Sequence, residues 1–447
     1  MLTVQTIAKA LNMEYTGKDF QVVKTVTDSR LAGEGCLFAA IVGERVDGHS
    51  FIADLDDRFE SMVFLGTHPK PADLRNPYFQ VEDIQKALGL LAKAHLAALP
   101  AKVVAVTGSV GKTTTKNFIL SALAPAMQVS GTKGNQNNEL GVPLTGLAVA
   151  ETDQAAVVEM GMRGLGQITY LTQFITPDIA VITNIGVAHL ELLKSRENIA
   201  KAKLELADAL PKGGKALMNG DEPLLYQARP EKECYYFGKE SHNDYRAEKI
   251  EGNGFTLYYP GGCLEVTLQV EGEHQVMNAL AAFGVGHLLG VDPNLLKEGI
   301  EQFTGDGTRQ FTETVGGVTV IDDSYNASPD SMRAALKVLA GKGGRKVAVL
   351  GDMLELGSYE EEGHRQVGAF CGELGIDVVL AAGAAAKTLY EALPEQMVKF
   401  YTPHKEDLDS LLEQVIRPGD TVLFKASNSM GFRAFAEGLK DRMKKNL

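Results

Sequence analysis

The chain has 447 residues, of which 45% are hydrophobic and 23% are charged, and its formal net charge at pH 7 is −13. That length exceeds what a single hydrophobic core supports, so we expect a folded, water-soluble protein of several domains. The excess of acidic residues disfavours nucleic acid as a partner, because the phosphate backbone repels them.

The cysteines and the apolar runs indicate the compartment. No Cys-x-x-Cys pair is present, which argues against a disulfide framework or a zinc site and favours a reducing compartment. Neither a signal peptide nor an unbroken apolar run of about 18 residues is visible, so we expect no membrane span. The expected location is the cytoplasm. The scattered cysteines are Cys36, Cys234, Cys263 and Cys371.

The predicted fold class is α/β with three domains. Short apolar runs such as CLFAAI and SMVFLG predict a small N-terminal α/β domain over residues 1–100. Over residues 101–308, β-rich apolar runs alternate with helical stretches, which is typical of a parallel sheet covered by helices. Residues 255–270 alternate around Pro-Gly-Gly and predict a hairpin in that domain. A second strand–helix series predicts a Rossmann-like domain over residues 309–447, after a Gly- and Thr-rich linker at 304–310.

The run VVAVTGSVGKTTTKNFIL places a strand, a glycine turn and the start of a helix in succession. Glycines let the backbone aim its N–H groups at phosphate oxygens, and the helix N-terminus adds positive potential. We expect Lys112 to reach the β- and γ-phosphates of a nucleotide and the Thr113 hydroxyl to bind Mg²⁺. Val106 occupies the first glycine position of the full GxxxxGK[ST] pattern, so the match is partial. The predicted phosphate-loop residues are Thr107, Gly108, Ser109, Val110, Gly111, Lys112, Thr113 and Thr114.

Two more polar residues follow the next predicted strands. Glu159 ends AVVEMG, and His189 comes after VITNIG. Ligands bind outside the carboxyl ends of parallel strands, so both residues are candidate metal ligands beside the phosphate loop. The alternatives are a surface carboxylate and a loop histidine.

The stretch ENIAKAKLELADAL predicts a helix whose two lysines lie on different faces. At about 100° per residue, Lys201 lies on a polar arc, whereas Lys203 lies on the apolar stripe of Ile199 and Leu206. Burial lowers the pKa of a lysine, and its neutral amine reacts with carbon dioxide to give a carbamate, an anionic oxygen ligand. The alternative is a lysine that extends along the stripe with its head in water. Periodicity alone favours that alternative.

The motifs taken together resemble those of the Mur ligases, the ATP-dependent amide-forming enzymes of peptidoglycan synthesis, and the resemblance covers essentially the whole chain. In the first domain it rests on TDSR and GERVDGHSF. In the second domain it rests on TGSVGKTT, GTKGNQNNELGVPLT, EMGMRGLGQI, TNIGVAHLE, IAKAKLEL and GEHQVMNALAA. In the third it rests on DDSYNASPDSM, LGDMLELG and KASNSMGF. The departures from the family pattern are Gln275, Ser328 and Asn428.

The resemblance implies a ligase that joins D-alanyl-D-alanine to UDP-N-acetylmuramoyl-tripeptide through an acyl phosphate, with release of ADP and phosphate. ATP and two Mg²⁺ ions are implied. Thr113 and Glu159 would hold one ion, and His189 and carbamylated Lys203 the other. The implied catalytic residues are Lys112, Glu159, His189 and Lys203, and a monomer is expected.

Further contacts are implied by the same motifs. Nucleotide contacts are implied for Asn278 at the adenine, and for Arg309, Tyr325 and Asn326 near the ribose and phosphates. Substrate contacts are implied for Ser29, Arg30, Asp47, His49, Asn135, Asn138, Lys425 and Ser427. For Lys425 and Ser427, a structural role at the strand end is the alternative.

Two other functions fit parts of the sequence. Other Mur ligases and folylpolyglutamate synthase share the central apparatus, but TDSR and DGHSF favour a UDP-muramyl substrate over a folate. A nucleotide-dependent switch would use the phosphate loop and leave Glu159, His189 and Lys203 without a role.

Overall fold

The computed structural model describes residues 2–228, 230–305 and 311–445. Within these residues the strands form three sheets that follow one another along the chain. We call the stretches that carry them the N-terminal region (residues 2–100), the central region (101–305) and the C-terminal region (311–445). The three-domain α/β prediction is confirmed, while the two domain boundaries stay predictions. The boundary at 308–309 and Arg309 lie outside the described residues, as does most of the 304–310 linker.

The N-terminal region is a parallel sheet in the order β1-β2-β3-β4. Its strands are short apolar runs, and the residues of the two inner strands are all buried, because helices and loops cover both faces. Two 3₁₀ turns, Ser29–Leu31 and Gly48–Phe51, follow the first two strands. The elements are α1 (Val4–Ala10), β1 (Lys24–Val26), β2 (Cys36–Ala39), α2 (Ile52–Arg58), β3 (Val63–Gly66), β4 (Tyr78–Gln80) and α3 (Ile84–Ala97).

The central region carries the largest sheet, in the order β13-β12-β11-β10-β9-β8-β5-β7-β6. In that spatial order, neighbouring strands from β11 to β6 pair in parallel. Strands β11, β12 and β13 pair antiparallel, and the β12–β13 pair confirms the predicted hairpin. The strands are β5 (Lys102–Thr107), β6 (Val129–Gly131), β7 (Ala155–Glu159), β8 (Ile179–Ile182), β9 (Lys215–Asn219), β10 (Glu233–Gly238), β11 (Tyr245–Glu251), β12 (Gly254–Tyr259) and β13 (Gly262–Thr267). The helices are α4 (Lys112–Leu123), α5 (Gly141–Leu147), α6 (Gln167–Thr172), α7 (Leu190–Leu193), α8 (Arg196–Asp208), α9 (Pro223–Tyr226), α10 (Glu273–Leu288) and α11 (Pro293–Glu301).

Two apolar cores cover the two faces of the central sheet. Helices α4, α10 and α11 pack on one face, and α6 and α8 pack on the other. Strand β5 lies between β7 and β8, so the carboxyl ends of these three strands are neighbours. This topology brings the phosphate loop, Glu159 and the segment before His189 to one edge of the sheet.

The C-terminal region is a doubly wound sheet in the order β14-β15-β19-β16-β17-β18. Strand β14 is antiparallel to β15, and the other pairs are parallel. The elements are β14 (Phe311–Val315), β15 (Val318–Asp322), α12 (Pro329–Ala340), β16 (Arg345–Gly351), α13 (Glu360–Glu373), β17 (Val378–Ala382), α14 (Ala386–Glu391), β18 (Val398–Thr402), α15 (Leu408–Val415), β19 (Asp420–Lys425) and α16 (Phe432–Lys445). No helix in the described part of the chain is long and apolar enough to cross a membrane.

Candidate active site

The phosphate loop has the predicted strand–turn–helix geometry, with β5 ending at Thr107 and α4 beginning at Lys112. Gly111 caps the helix with φ +83°, a left-handed conformation that glycine adopts at little cost. At Gly108, a Cβ atom would lie 1.8 Å from Thr183 Oγ1, so only glycine fits. Both glycines are therefore required by the local backbone.

Asn184, which the sequence reasoning did not select, supports this loop. Its Oδ1 accepts hydrogen bonds from the backbone N–H groups of Ser109 (3.0 Å) and Val110 (2.9 Å). The Thr183 hydroxyl donates to the Val110 carbonyl at 2.7 Å. Asn184 and Thr183 come directly after β8 in the TNIG run, so their position at a strand end next to β5 was the available signal.

The polar side chains of the phosphate loop differ in whether they have a hydrogen-bond partner. The hydroxyls of Thr107 and Ser109 are buried without a hydrogen-bond partner among the described residues. Buried polar groups are nearly always paired, so these two fit a ligand that brings acceptors or donors. Lys112 Nζ meanwhile donates to the Gly108 carbonyl at 2.8 Å. Thr114, in the first turn of α4, is half-buried.

Glu159 is a buried carboxylate at the end of β7, 1% exposed. Its Oε2 accepts from Thr113 Oγ1 at 2.7 Å, and its Oε1 accepts from Asn137 Nδ2 at 2.7 Å. The surface alternative for Glu159 is wrong. A buried carboxyl group that accepts from a hydroxyl and an amide fits a cation site built from oxygen ligands.

Lys203 lies on α8 at the predicted position and is 2% exposed. Ile199 and Leu206, its neighbours on the apolar stripe, are also buried, whereas Lys201 is exposed. The pKa of the Lys203 amine lies well below its ordinary value of 10.5, because burial disfavours its charge and Lys112 adds repulsion. Since the side chain is buried, the alternative of a head group in water is wrong.

His189 lies beside the same two lysines, in the loop between β8 and α7. Burial is the main cause that holds its pKa below the ordinary 6.5, with Lys112 and Lys203 acting in the same direction and Glu355 opposing them. A neutral imidazole retains a lone pair for a metal. Glu355, a residue of the C-terminal region that the sequence did not single out, has Oε2 2.8 Å from His189 Nδ1.

The carboxyl-end edge of the central sheet therefore holds two buried ionisable groups, Glu159 and Lys203. Lys203 makes no hydrogen bond or ion pair within residues 2–228, 230–305 and 311–445. The oxygens of Thr113 and Glu159 would suit a divalent cation. Carbamylation would turn the neutral amine of Lys203 into an anionic oxygen ligand. The donor set thus fits Mg²⁺.

The predicted substrate contacts of Asn135 and Asn138 stay predictions. Asn135 and Asn138 are exposed, and Asn138 Oδ1 accepts from the Gly141 N–H at 2.9 Å, at the start of α5. Asn137, between them, is the residue that reaches Glu159. Helix α5, which follows these asparagines in the chain, packs on α3 of the N-terminal region.

Asn278 lies against the phosphate loop, on α10. Its Oδ1 accepts from Thr115 Oγ1 at 2.8 Å, and a Cβ atom at Gly111 would lie 3.1 Å from it. Its Nδ2 donates to Gln275 Oε1 at 3.0 Å. Asn278 thus ties α10 to the first turns of α4, and its predicted contact with adenine stays a prediction.

The residues predicted to bind the UDP-sugar lie at the carboxyl ends of adjacent strands in the N-terminal sheet. Ser29 and Arg30 follow β1, and Asp47 and His49 follow β2. Arg30 is exposed and holds the pKa of Asp28 down to about 2, mainly through its side-chain hydrogen bonds.

His49 is locked in one orientation. Its Nδ1 lies 2.6 Å from Asp47 Oδ1, and its Nε2 accepts from the Thr67 N–H at 2.9 Å. The His49 backbone N–H, and then its imidazole, hold the pKa of the Asp47 carboxyl below its usual range. His68 stacks on the His49 ring with centroids 3.8 Å apart. His68 follows β3, so its position beside these residues was also open to prediction.

Asp47, His49 and His68 are also the described acidic and imidazole groups close enough to share one ion, with ligand atoms within 4.8 Å of one another. Both ring nitrogens of His49 are already engaged by Asp47 and Thr67. A metal here would have to displace one of these bonds, so we assign the cluster to loop structure.

Lys425 and Ser427 lie at the carboxyl ends of the strands in the C-terminal sheet, which we call the C-terminal edge. There they make structural contacts, as in the alternative role that the sequence left open. Lys425 is 2% exposed, and its Nζ donates to Asp323 Oδ2 (2.6 Å), to the Asp323 carbonyl (3.2 Å) and to the Asn326 carbonyl (3.0 Å). Ser427 Oγ accepts from the Leu354 N–H at 2.9 Å. Tyr325 and Asn326 lie in the same turn after β15. These bonds join the carboxyl ends of β15, β19 and β16.

Comparison with known proteins places the chain. Residues 106–286 match the model of the Mur ligase middle domain, and residues 309–428 match that of the Mur ligase, glutamate ligase domain. Two relatives bear the name UDP-N-acetylmuramoyl-tripeptide–D-alanyl-D-alanine ligase. The one from Bacillus subtilis is 38% identical and the one from Escherichia coli 34%, each over 98% of both chains. The chain belongs to the MurF branch of the Mur ligase family.

Solved structures of this branch agree with the fold. MurF from Acinetobacter baumannii superposes with a TM-score of 0.86 at 31% identity, over 98% of both chains. MurF ligase from Thermotoga maritima, in complex with ADP, gives a TM-score of 0.83 at 29% identity, over 95% of this chain and 99% of that chain.

The three departures from the Mur ligase pattern each have a structural contact here. Gln275 accepts from Asn278, as described above. Ser328 caps α12, with its side chain accepting from the Ser331 N–H. Asn428 Nδ2 donates to the Tyr325 carbonyl at 2.9 Å and so ties the two loops of the C-terminal edge.

Proposed function

We propose that this chain is an ATP-dependent acid–D-amino-acid ligase that joins D-alanyl-D-alanine to UDP-N-acetylmuramoyl-tripeptide and releases ADP and phosphate. The observation that carries the proposal is the pair of buried ionisable groups, Glu159 and Lys203, at the strand-end edge that carries a phosphate loop. A nucleotide switch has no use for them. Full-length similarity to ligases of that name supports the choice of substrates.

The phosphate loop would bind ATP. The positive end of α4, where the glycine turn enters the helix, would attract the phosphates. Lys112, now bonded to the Gly108 carbonyl, would turn its ammonium to the β- and γ-phosphates. Asn278 at the adenine, and Tyr325 and Asn326 near the ribose and phosphates, complete the proposed nucleotide site.

Four side chains would hold two Mg²⁺ ions: Thr113 and Glu159 the first, and His189 and carbamylated Lys203 the second. The ions would supply positive charge where the γ-phosphoryl group and a substrate carboxylate converge. Carbamylation needs a neutral amine, which the lowered pKa of Lys203 provides.

In the proposed reaction, an oxygen of the terminal carboxylate of the tripeptide attacks the γ-phosphorus, and ADP leaves with the bridging oxygen. The neutral amine of D-alanyl-D-alanine then attacks the acyl carbon, inorganic phosphate leaves, and the nitrogen loses a proton to give the amide. Lys112 would neutralise the phosphoryl oxygens throughout. The rest is positioning, which contributes much of the rate in such transfers.

The remaining predicted residues would bind the large acceptor. Ser29, Arg30, Asp47 and His49 are proposed to contact UDP or its sugar, and Asn135 and Asn138 the substrate near the phosphate loop. Lys425 and Ser427 are proposed to act near the acyl phosphate from the C-terminal side. Contacts from three regions require hinge closure around the substrates.

We further propose that the enzyme works as a monomer in the cytoplasm, where UDP-linked peptidoglycan precursors are built. Through that product it would serve cell-wall biogenesis, cell shape and cell division.

Product analysis by mass spectrometry tests this function. Purified protein, ATP and Mg²⁺ are incubated with D-alanyl-D-alanine and with UDP-muramyl-tripeptide carrying either meso-diaminopimelate or L-lysine. We expect the pentapeptide product with at least one tripeptide. No product with either one, in a protein that binds ATP, would refute the proposal.

A further inference from the structure

Two strained residues meet across the boundary between the central and C-terminal regions. His189 has φ +64° and Glu355 has φ +62°, in the left-handed region that residues other than glycine rarely adopt. Their side chains approach to 2.8 Å, between Nδ1 and Oε2, although the ring N–H is not well aligned with the oxygen. Unusual backbone conformations of this kind concentrate at functional sites.

The segment that carries Glu355 is firmly held. The Met353 N–H donates to Nε2 of the buried His364 at 3.0 Å, and the Leu354 N–H donates to Ser427 Oγ. Two residues further on, a Cβ atom at Gly357 would lie 2.7 Å from the Cα of Glu191, in the helix that follows His189. The backbone before Glu355 is therefore anchored within the C-terminal region, and the backbone after it lies close to the helix that follows His189.

The contact between His189 and Glu355 contributes little to the stability of the fold. The Glu355 side chain is 51% exposed, and ion pairs in such positions contribute little to folding. Arg163, the other charged neighbour of Glu355, has its Nη2 4.0 Å from Glu355 Oε1, and the Arg163 side chain is 72% exposed. The carboxylate is thus half-exposed to solvent, beside a histidine that is proposed to bind a metal.

We propose that Glu355 is a positioning residue for His189. A carboxylate that accepts from Nδ1–H fixes the tautomer and leaves Nε2 as the free lone pair, the arrangement commonly found behind metal-bound histidines. Because Glu355 belongs to the C-terminal region, His189 is oriented for the ion only when that region lies against the central one. Domain closure and completion of the metal site are then one event. The inference rests on the proposed function, in which His189 binds Mg²⁺.

The test is the affinity of the protein for Mn²⁺ in the presence of ADP, measured as free Mn²⁺ by electron paramagnetic resonance. Loss of a carboxylate behind a metal-bound histidine weakens metal binding by about 10- to 100-fold, so we expect Glu355→Ala to weaken one Mn²⁺ site by about tenfold. Glu355→Gln keeps an acceptor oxygen and recovers part of the loss. Glu360→Ala removes an exposed carboxylate from the same segment and leaves the affinity unchanged.

A double-mutant cycle shows whether Glu355 acts through His189. His189→Ala should weaken the same site, and adding Glu355→Ala to it should weaken it no further. Unchanged Mn²⁺ affinity in Glu355→Ala, with product formation intact in the wild type, overturns this inference alone. If Glu355→Ala weakens Mn²⁺ binding as much in the His189→Ala background as in the wild type, the inference is overturned too. Absence of product from the wild type would instead overturn the proposed function.

Discussion

Thr113 donates a hydrogen bond to Glu159 at 2.7 Å, between a phosphate-loop hydroxyl and a carboxylate that is 1% exposed. The bond joins the first turn of α4 to the end of β7. Mg²⁺ prefers oxygen ligands such as these two. The hydrogen bond that stabilises the fold in the absence of metal would therefore open to admit the ion.

Thr113→Val tests both roles of this pair. The variant leaves a buried carboxylate oxygen without its donor, which costs about 1–3 kcal/mol of unfolding free energy. It should also lose most of the thermal stabilisation that Mg²⁺ and ADP together give the wild type. Urea unfolding and thermal melts measure the two effects. Thr113→Ser, which keeps the hydroxyl, should behave nearly as the wild type. A valine variant that is fully stabilised by Mg²⁺ and ADP would remove Thr113 from the metal site.

Lys203→Ala tests the carbamate. We expect turnover to fall on the order of 100-fold or more, as for loss of a charge-stabilising group, and to recover in part when formate or acetate is added. A small carboxylate fits the space of the lost side chain and supplies the missing oxygen ligand. Lys201→Ala, two residues away and exposed, is the matched control and should keep full activity. Full activity of Lys203→Ala without any additive would return Lys203 to a structural role.

The same lysine predicts a pH dependence of stability. Its pKa in the folded protein lies well below 10.5. Between that value and 10.5 the unfolded chain binds a proton that the folded protein does not, so the free energy of unfolding rises with pH in this window. Its contribution is at most about 1.4 kcal/mol per pH unit.

Lys203→Met removes that contribution. In buffers depleted of carbon dioxide, its unfolding free energy should rise less steeply with pH than that of the wild type, and exceed it most at the acid end. Urea titrations from about pH 7 to about pH 9 measure both slopes. Parallel slopes would mean that Lys203 titrates normally in the folded protein.

Gly357→Ala tests the contact between the C-terminal and central regions. Gly357 has φ +56°, and a Cβ atom there would meet the Cα of Glu191 at 2.7 Å. The added methyl group should separate the regions, increase the radius of gyration in the presence of ligands, and lower turnover by up to about 100-fold through misplacement. Small-angle scattering and kinetics measure these changes. Gly343→Ala is the control, since no atom lies within 4 Å of the added Cβ. A ligand-bound radius equal to that of the wild type would contradict the closure account.

The sequence predicted those parts of the site that depend on local periodicity. The apolar stripe of α8 placed Lys203 on the apolar face, although periodicity alone favoured a head group in water. The glycine turn located the phosphate loop, because such a pattern spans only a few residues. Strand-end position also predicted that Glu159 would lie beside that loop, since β7 is the neighbour of β5.

Contacts that depend on loop conformation or on distant segments were not predictable in the same way. Among three asparagines, the one that reaches Glu159 is Asn137, which the direction of the loop decides. Glu355 meets His189 only because two separate sheets pack together. For Lys425 the sequence left a substrate contact and a structural role both open, because its three acceptors come from the distant turn after β15.

The most direct test of the central claim is release of inorganic phosphate from ATP, measured with each acceptor alone, with both and with neither. The account predicts release only when D-alanyl-D-alanine and UDP-N-acetylmuramoyl-tripeptide are both present, in equal amount to the pentapeptide formed. Sustained release with neither, or with either one alone, would contradict it.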